Sequence, residues 1–402
     1  MKSFISSEIA IDRTTWLVRG LRENNVWFSP MTAILILVCF AALFLAYANG
    51  ANDNFKGVAT LYGSGMVSYR TALTWATVTT SAGAISSVFL AASLVKSFSG
   101  KGLVANSIST AADFHLAVAI GAGLTVLLAT WRGFPISTTH GMTGALLGAG
   151  LVASGGKVNF TALGQSFILP LLLSPILAIG LAMTLYSIAH RLNLKNQADL
   201  CACVGEAASF LPVSDQGGTI GNSTFPRLTI DTVENCQQLY PGNFWGIKIQ
   251  KLVEIGHFAS AGIVSFARGL NDTPKIVALI ILMPSISIQG VAIAVGMAMA
   301  IGGWLNARRV AEKMSKQITT MNVGQGLVGN VITGVLVIAA SLFGLPVSTT
   351  HVAVGSIFGV GLVSRQANYQ IFMQILLSWL LTLPVAALLG GAIYAIPALR
   401  LL

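Results

Sequence analysis

Two short polar motifs each occur twice in this 402-residue chain, and together they supply hydroxyl, amide, carboxylate and ammonium groups. The first is Gly-x-Asn-Asp-x-x-Lys, at residues 50–56 and again at 269–275. The second is Gly-x-Pro-x-Ser-Thr-Thr-His, at 133–140 and again at 344–351. The offsets are 219 and 211 residues and the order of the motifs is kept. The sequence therefore predicts two related halves, each contributing one set of ion-binding groups.

The Ser-Thr-Thr runs of the second motif predict an anion site. Proline is favoured in the first turn of a helix, and Ser and Thr cap its free N–H groups. Such an end also carries the positive pole of the helix dipole, which favours an oxyanion. The expected ligands for one anion held between the halves are Ser137, Thr138, Thr139, Ser348, Thr349 and Thr350. The alternative is that these hydroxyls only bond back to carbonyl groups within a membrane helix.

The Asn-Asp pairs of the first motif predict a cation-coupling site. Asp53 and Asp272 stand at the ends of apolar runs, directly after Asn52 and Asn271. An ionisable side chain in a bilayer is costly, so it usually faces the bundle interior and marks an ion or substrate path. We expect the asparagines to contact the substrate and, if sodium is the coupling ion, all four side chains to be its ligands. The alternative is that each pair only caps a helix at the membrane surface.

The lysine that ends each copy of the first motif is a further candidate for coupling. Lys56 and Lys275 each lie three positions after an aspartate, so in a helix the two side chains would share a face. An ammonium group beside a carboxylate could then take the charge role of a mobile cation, or exchange a proton with it. The alternative is that both lysines extend to the membrane interface.

The composition indicates a helical protein that crosses the membrane several times. Mean hydropathy is +0.77, with 54% hydrophobic and only 9% charged residues, far less charge than a soluble protein carries. Several apolar runs approach the roughly 20 residues that cross a bilayer. The net charge of +10 fits basic loops that set orientation and meet anionic lipids, and we expect no nucleic-acid partner.

The apolar runs divide the chain into four parts. We expect an N-terminal extension at 1–30, a first membrane repeat at 31–190, a central extramembrane loop at 191–250 and a second membrane repeat at 251–402. About ten to twelve membrane segments fit into the two repeats, some of half length. Short or interrupted segments at matching places in two repeats indicate the binding site of a transporter.

The paired G-x-N-D and P-[IV]-S-T-T-H motifs resemble those of the inorganic phosphate transporter (PiT) family, over roughly 31–190 and 251–397. The resemblance implies an all-α polytopic membrane protein with two inverted repeats, half-length hairpin helices and phosphate bound near the midplane. It also implies that the Asn-Asp pairs and the Ser/Thr clusters build the anion and cation sites. Sodium-coupled members usually have small residues after Asn-Asp, where this chain has Asn54-Phe55-Lys56, and Lys275 in the second copy.

The function expected from these residues is secondary active transport of inorganic phosphate with a coupling cation, sodium or a proton, by alternating access in the cell membrane. Transport of another oxyanion such as sulfate is the alternative, followed by an anion channel. An enzyme is not expected, because Ser137 and His140 form no triad and no G-x-S-x-G elbow occurs. The expected partners are phosphate, the cation and the lipid bilayer, with homo-oligomerisation left open. No cofactor is expected besides co-transported sodium.

Overall fold

The structure is a computed structural model that describes residues 30–191, 200–208, 224–232, 235, 244–280 and 287–397. The predicted extension at 1–30 lies outside these residues except for Pro30. The elements are, in chain order, α1 (Pro30–Asp53), α2 (Ala59–Gly63), α3 (Tyr69–Leu90), α4 (Ala92–Phe98), α5 (Asn106–Ser109), α6 (Ala112–Trp131), α7 (Thr138–Ser154), α8 (Phe160–Leu163), α9 (Leu169–Arg191), β1 (Leu200–Ala208), β2 (Thr224–Thr232), β3 (Phe244–Lys248), α10 (Ile249–Val277), α11 (Ile288–Asn306), α12 (Arg308–Lys316), α13 (Val323–Leu342), α14 (Thr349–Ser364) and α15 (Tyr369–Tyr394).

Seven helical segments in the described part of the chain are long and apolar enough to cross a membrane: Ala33–Gly63, Tyr69–Leu90, Ala112–Trp131, Phe160–Arg191, Ile288–Asn306, Val323–Leu342 and Tyr369–Tyr394. Large apolar side chains cover the outside of the bundle, with Phe89 and Leu388 each 74% exposed, as expected for a surface that faces lipid. The prediction of a polytopic, mainly helical membrane protein is confirmed. Helix α10 differs from these segments, because several charged side chains lie buried along it.

The two helices that end in the first motif pack reciprocally against the other half. At Gly50 in α1, an added Cβ would overlap the backbone of Met299 in α11. At Gly269 in α10, it would overlap the backbone of Thr80 in α3. Small residues permit this close approach of membrane helices. Each motif helix is therefore held against a helix of the opposite half, which brings the two motifs to the centre of the bundle.

The helices that follow the second motif also cross between the halves. Gly144 and Gly148 of α7 pack against the backbone of α15, and Gly355 and Gly359 of α14 pack against the backbone of α9. Because α9 ends the first half and α15 the second, each of these helices lies on the last helix of the other half. Small residues thus permit a close approach of the helices at all four positions.

The central segment contains a three-stranded antiparallel sheet with the strand order β2-β1-β3. Strand β1 pairs with β2 from Leu200 opposite Thr232, and with β3 from Cys201 opposite Lys248. This sheet lies within the predicted loop at 191–250 and was not predicted from the sequence. Strand β2 does alternate polar and apolar residues from Arg227 to Asp231, as a half-buried strand does, whereas β1 shows no such alternation.

Candidate functional site

Each copy of the second motif begins with a turn that requires glycine. Gly133 and Gly344 have φ angles of +70° and +69°, in the left-handed region that side chains with a Cβ avoid. The following residues, 134–137 and 345–348, are not helical. This leaves two stretches of unwound backbone. The N–H groups of Phe134 and Leu345 bond back to Ala129 and Ala340, whereas carbonyl groups such as those of Ile136 and Val347 can bind side chains or ions in the bundle interior.

A serine then caps the helix that follows. Ser137 and Ser348 are the N-caps of α7 and α14, and each hydroxyl accepts a bond from the N–H three residues further on, at 3.1 and 3.2 Å. Pro135 and Pro346 precede these helices rather than standing in their first turns, so that part of the prediction is wrong. The helix starts themselves are where the sequence predicted them, with further N–H groups that lack partners inside the helix.

The two Ser-Thr-Thr elements face each other across the centre. Thr139 donates a hydrogen bond to the carbonyl oxygen of Val347 at 3.2 Å, and Thr350 donates to that of Ile136 at 2.8 Å. Both bonds run from one half to the unwound backbone of the other. The expectation that hydroxyls from both halves meet at one place agrees with this geometry.

Lys56 projects into this centre and is surrounded by oxygen atoms. Its Nζ atom lies 2.9 Å from Asn52 Oδ1, 2.5 Å from Asp53 Oδ1, 2.7 Å from the carbonyl oxygen of Ile136 and 2.6 Å from Thr350 Oγ1. The residue is only 3% exposed. The lysine thus joins the first motif of its own half to the second motif of both halves.

Lys275 makes the corresponding contacts from the second half. Its Nζ atom lies 3.2 Å from Asp272 Oδ1, 3.0 Å from the carbonyl oxygen of Val347 and 2.7 Å from Thr139 Oγ1. The residue is 1% exposed. Both lysines thus lie buried inside the bundle instead of extending to its surface, and each ammonium group forms a buried ion pair with the aspartate three residues before it.

The two aspartates are linked through Asn49. Its Nδ2 atom lies 3.1 Å from Asp53 Oδ2, from Asp272 Oδ2 and from Thr138 Oγ1. The Thr138 hydroxyl also donates to Asp53 Oδ2, at 3.1 Å. The predicted metal ligands are the carboxylate oxygens of these aspartates and the amide oxygens of Asn52 and Asn271. No group of three His, Cys, Asp or Glu side chains lies together among the residues described.

The motif asparagines brace the unwound backbone. Asn52 donates to the carbonyl oxygen of Phe134 at 3.0 Å and accepts from the N–H group of Ile136 at 3.1 Å. Asn271 donates to the carbonyl oxygen of Val347 at 3.2 Å. The contacts that the structure gives these amides therefore shape the segments that carry the hydroxyls, and their predicted contact with substrate stays a prediction.

Arg268 is a charged residue at the site that was not predicted from the sequence. It is 1% exposed and donates to Asn49 Oδ1 at 2.6 Å, Asn54 Oδ1 at 3.1 Å and Thr80 Oγ1 at 3.3 Å. Its Nε atom lies 3.8 Å from Asp272 Oδ2 and makes no hydrogen bond to any residue described. The described centre thus contains two carboxylates and three basic groups.

A signal for Arg268 was present in the motif offset. Moving back 219 residues from Arg268 gives Asn49, and these two residues are hydrogen-bonded to each other. Equivalent positions of two repeats meet only near the axis that relates them. A lone arginine inside the apolar run before the second copy of the first motif, at the position equivalent to a polar residue in the first half, was the observation that could have identified it.

The predicted hydroxyl groups differ in whether they already make hydrogen bonds to other residues of the protein. Ser137 and Ser348 act as caps, whereas Thr138, Thr139 and Thr350 bond within the network described above. Thr349 is 5% exposed and makes no hydrogen bond to another described residue. Its hydroxyl therefore retains its full capacity to bind a ligand.

The motif histidines lie in contact beside this network. The rings of His140 and His351 are 4.5 Å apart between centroids, and His351 also stacks on Trp379 at 3.9 Å. Trp379 donates to the carbonyl oxygen of Pro135 at 3.1 Å, and His351 Nδ1 lies 3.1 Å from that of Leu171. Because a carbonyl oxygen can only accept, His351 Nδ1 carries a proton. These contacts support a structural role for the pair.

A cavity of about 440 Å³ opens beside the centre. Basic and hydroxyl side chains contribute to its wall, namely Lys96, Lys101, His115, Ser87, Ser99, Ser109 and Thr110. Pro274, the residue before Lys275, also lines it. Phe98, next to Ser99, has its ring centroid 5.7 Å from Lys275 Nζ. The cavity therefore approaches the central network from the side of α4.

Comparison with known proteins gives consistent matches. The sequence pattern of the Phosphate transporter family matches residues 49–390. A Pyrococcus abyssi protein named "Putative phosphate permease" is 26% identical, covering 90% of this chain and 97% of that protein. "Inorganic phosphate transporter 2-1, chloroplastic" of Arabidopsis thaliana is also 26% identical, covering 86% of this chain and 69% of that protein.

A solved structure named "The sodium-dependent phosphate transporter" has the same fold, with a TM-score of 0.70 over 91% of this chain and 99% of the other, at 20% identity. The family match includes both copies of both motifs, and so every residue of the central network. The chain belongs to the Phosphate transporter family and is a multi-pass membrane protein.

Proposed function

We propose that this protein is a secondary active transporter that carries inorganic phosphate across the cell membrane together with a coupling cation. The observation that carries the proposal is the meeting of two capped helix starts from opposite halves, face to face, within a buried network of hydroxyl, amide and basic groups. Helix starts and basic side chains favour an oxyanion, and the carboxylates offer a place for sodium or a proton. The names of the relatives and of the structural neighbour support phosphate as the anion.

Alternating access by rocking of the two halves fits the reciprocal contacts. The bonds from Thr139 to Val347 and from Thr350 to Ile136 both cross between the halves, so movement of one half against the other changes the site directly. In transporters built from repeats, the binding site lies at the repeat interface and access alternates around it. A channel would instead need a continuous pore with weak, multi-site binding.

Uptake of labelled phosphate into proteoliposomes tests this function. Sodium and pH gradients are imposed separately, and sulfate is added as the competitor. We expect saturable uptake that accumulates phosphate against its gradient under one of the two ion gradients. Flux that only equilibrates phosphate would indicate a channel, and stronger uptake of sulfate than of phosphate would identify the other anion as the substrate.

Removal of the Thr349 or Thr138 hydroxyl should weaken phosphate binding by roughly 1–3 kcal/mol each, because a buried oxyanion loses one partner. Thr349→Val tests the hydroxyl that makes no hydrogen bond to another described residue, whereas Thr138→Val also removes a donor to Asp53. Calorimetric titration of purified protein with phosphate measures the effect. Thr184→Val is the control, since Thr184 bonds back to Gly180 on the exposed face of α9. Unchanged affinity in both site variants would exclude these threonines from the site.

We propose that phosphate approaches the centre through the cavity beside α4, whose wall carries Lys96 and Lys101. Lys96→Gln combined with Lys101→Gln should raise the apparent KM for phosphate several-fold at low salt, because positive charge at a cleft raises the local anion concentration. The maximal rate should stay unchanged, and the difference should shrink at high salt. Lys157→Gln combined with Lys248→Gln, at two exposed lysines outside the cavity lining, controls for the loss of two positive charges. An equal KM in all these proteins would rule out this path.

A further inference from the structure

Each half of the protein holds an ammonium group among ligands of the kind that a metal cation binds. For Lys56 these are a carboxylate, an amide oxygen, a carbonyl oxygen of unwound backbone and a hydroxyl, all within 2.9 Å. For Lys275 they are a carboxylate, an unwound carbonyl oxygen and a hydroxyl, within 3.2 Å. Hard cations take oxygen ligands of these types, and unwound carbonyl groups coordinate sodium in transporters with broken helices.

The ammonium groups already neutralise the two carboxylates whose charge a co-transported cation would otherwise neutralise. Asp53 and Asp272 are 1% and 2% exposed, and each forms an ion pair with the lysine of its own motif. Arg268 adds a third positive charge, 3.8 Å from Asp272 Oδ2. The described centre therefore has one positive charge in excess before an anion arrives, so an incoming phosphate needs no accompanying metal ion to offset repulsion from the aspartates.

We propose that Lys56 and Lys275 are tethered cations that occupy the places of co-transported sodium ions, so that this protein carries phosphate without sodium. The inference rests on the proposed function and deepens it, because it concerns the coupling chemistry of the same site. A tethered amine stays with the protein when the anion leaves. The ion whose gradient drives accumulation is then one other than sodium.

The oxygen atoms that surround each ammonium group form what we call its cage. Removing the ammonium group should convert this cage into a sodium site. Lys275→Ala leaves the Asp272, Val347 and Thr139 oxygens without their cation, and Lys56→Ala does the same in the first half. Thermal unfolding of each purified protein is measured in sodium chloride and in choline chloride at equal ionic strength. We expect a lower Tm for both variants in choline, and a partial recovery specific to sodium, because an ion that binds only the folded state stabilises it.

The wild-type protein and a distant lysine variant supply the controls. Wild type should have the same Tm in both salts. Lys316→Ala should also show no sodium effect, because its amine lies over the Tyr62 ring, 4.7 Å from the centroid, and outside both cages. Sodium-specific stabilisation of wild type, or its absence from both cage variants, would overturn the proposal.

Transport measurements separate this inference from the proposed function. Phosphate uptake by wild-type proteoliposomes should be equal with sodium and with choline outside, whereas uptake that requires sodium would overturn the inference while leaving phosphate transport intact. If wild type takes up no phosphate under any gradient, the proposed function fails. The unfolding measurement, which needs no transport, still decides whether the lysines occupy cation sites.

Discussion

Asp53→Asn and Asp272→Asn are each expected to abolish phosphate uptake. Each substitution keeps the shape of the side chain but removes the charge that faces a buried ammonium group, at 2.5 Å for Lys56 and 3.2 Å for Lys275. Removing one partner of a buried ion pair typically costs about 3–5 kcal/mol of stability. The Asp272 variant should be the less stable of the two, because Arg268 also loses its nearest carboxylate.

A paired substitution separates loss of function from loss of stability. Asp53→Asn combined with Lys56→Met removes both charges of the pair, so most of the lost Tm should return while uptake stays absent. Glu312→Gln is the control, because its ion pair with Arg308 is exposed and such pairs contribute little to stability. Uptake in proteoliposomes and Tm in detergent are measured for every variant. Near wild-type uptake by either single variant would show that its aspartate is only a cap.

The duplicated motifs made most of this site predictable from the sequence. Asp53 and Lys56 were predicted to share a helix face, and they form an ion pair although α1 ends at Asp53 and a short 3-10 turn begins at Lys56. The repeat of Ser-Thr-Thr correctly predicted two helix starts. The spacing of residues within a motif predicts which neighbouring side chains lie close together. It therefore predicts contacts within one half of the protein.

Contacts between the halves were not predictable in the same way. The bond from Lys56 to Thr350 joins residues 294 positions apart, and no local pattern specifies such a pairing. Arg268 was not predicted because the two copies of the first motif match only from Gly50 and Gly269 onward, and the residue equivalent to Arg268, Asn49, has a different chemistry. Both the Lys56–Thr350 and the Arg268–Asn49 contacts result from the packing of helices of one half against the other. That packing depends on the whole bundle.

Gly50→Val and Gly269→Val should each prevent stable folding of the bundle. The two positions are equivalent in the repeats, and a Cβ at either would overlap backbone atoms, of Met299 and of Thr80 respectively. Overpacking in a core usually costs about 1–3 kcal/mol. A larger loss is expected here, because the partner is backbone within a helix and cannot rotate away as a side chain can.

Size-exclusion chromatography and thermal unfolding in detergent measure this effect, with the alanine variants as an intermediate step at both positions. Gly180→Val is the matched control, because Gly180 is exposed in α9 and a Cβ there would meet no atom within 4 Å. Wild-type yield and Tm for Gly50→Val would show that the close helix approach is not required. Gly50 lies three residues before Asp53, and Gly269 lies three before Asp272. If a valine forced the helices apart at either glycine, the two aspartates that both bind Asn49 would also move apart.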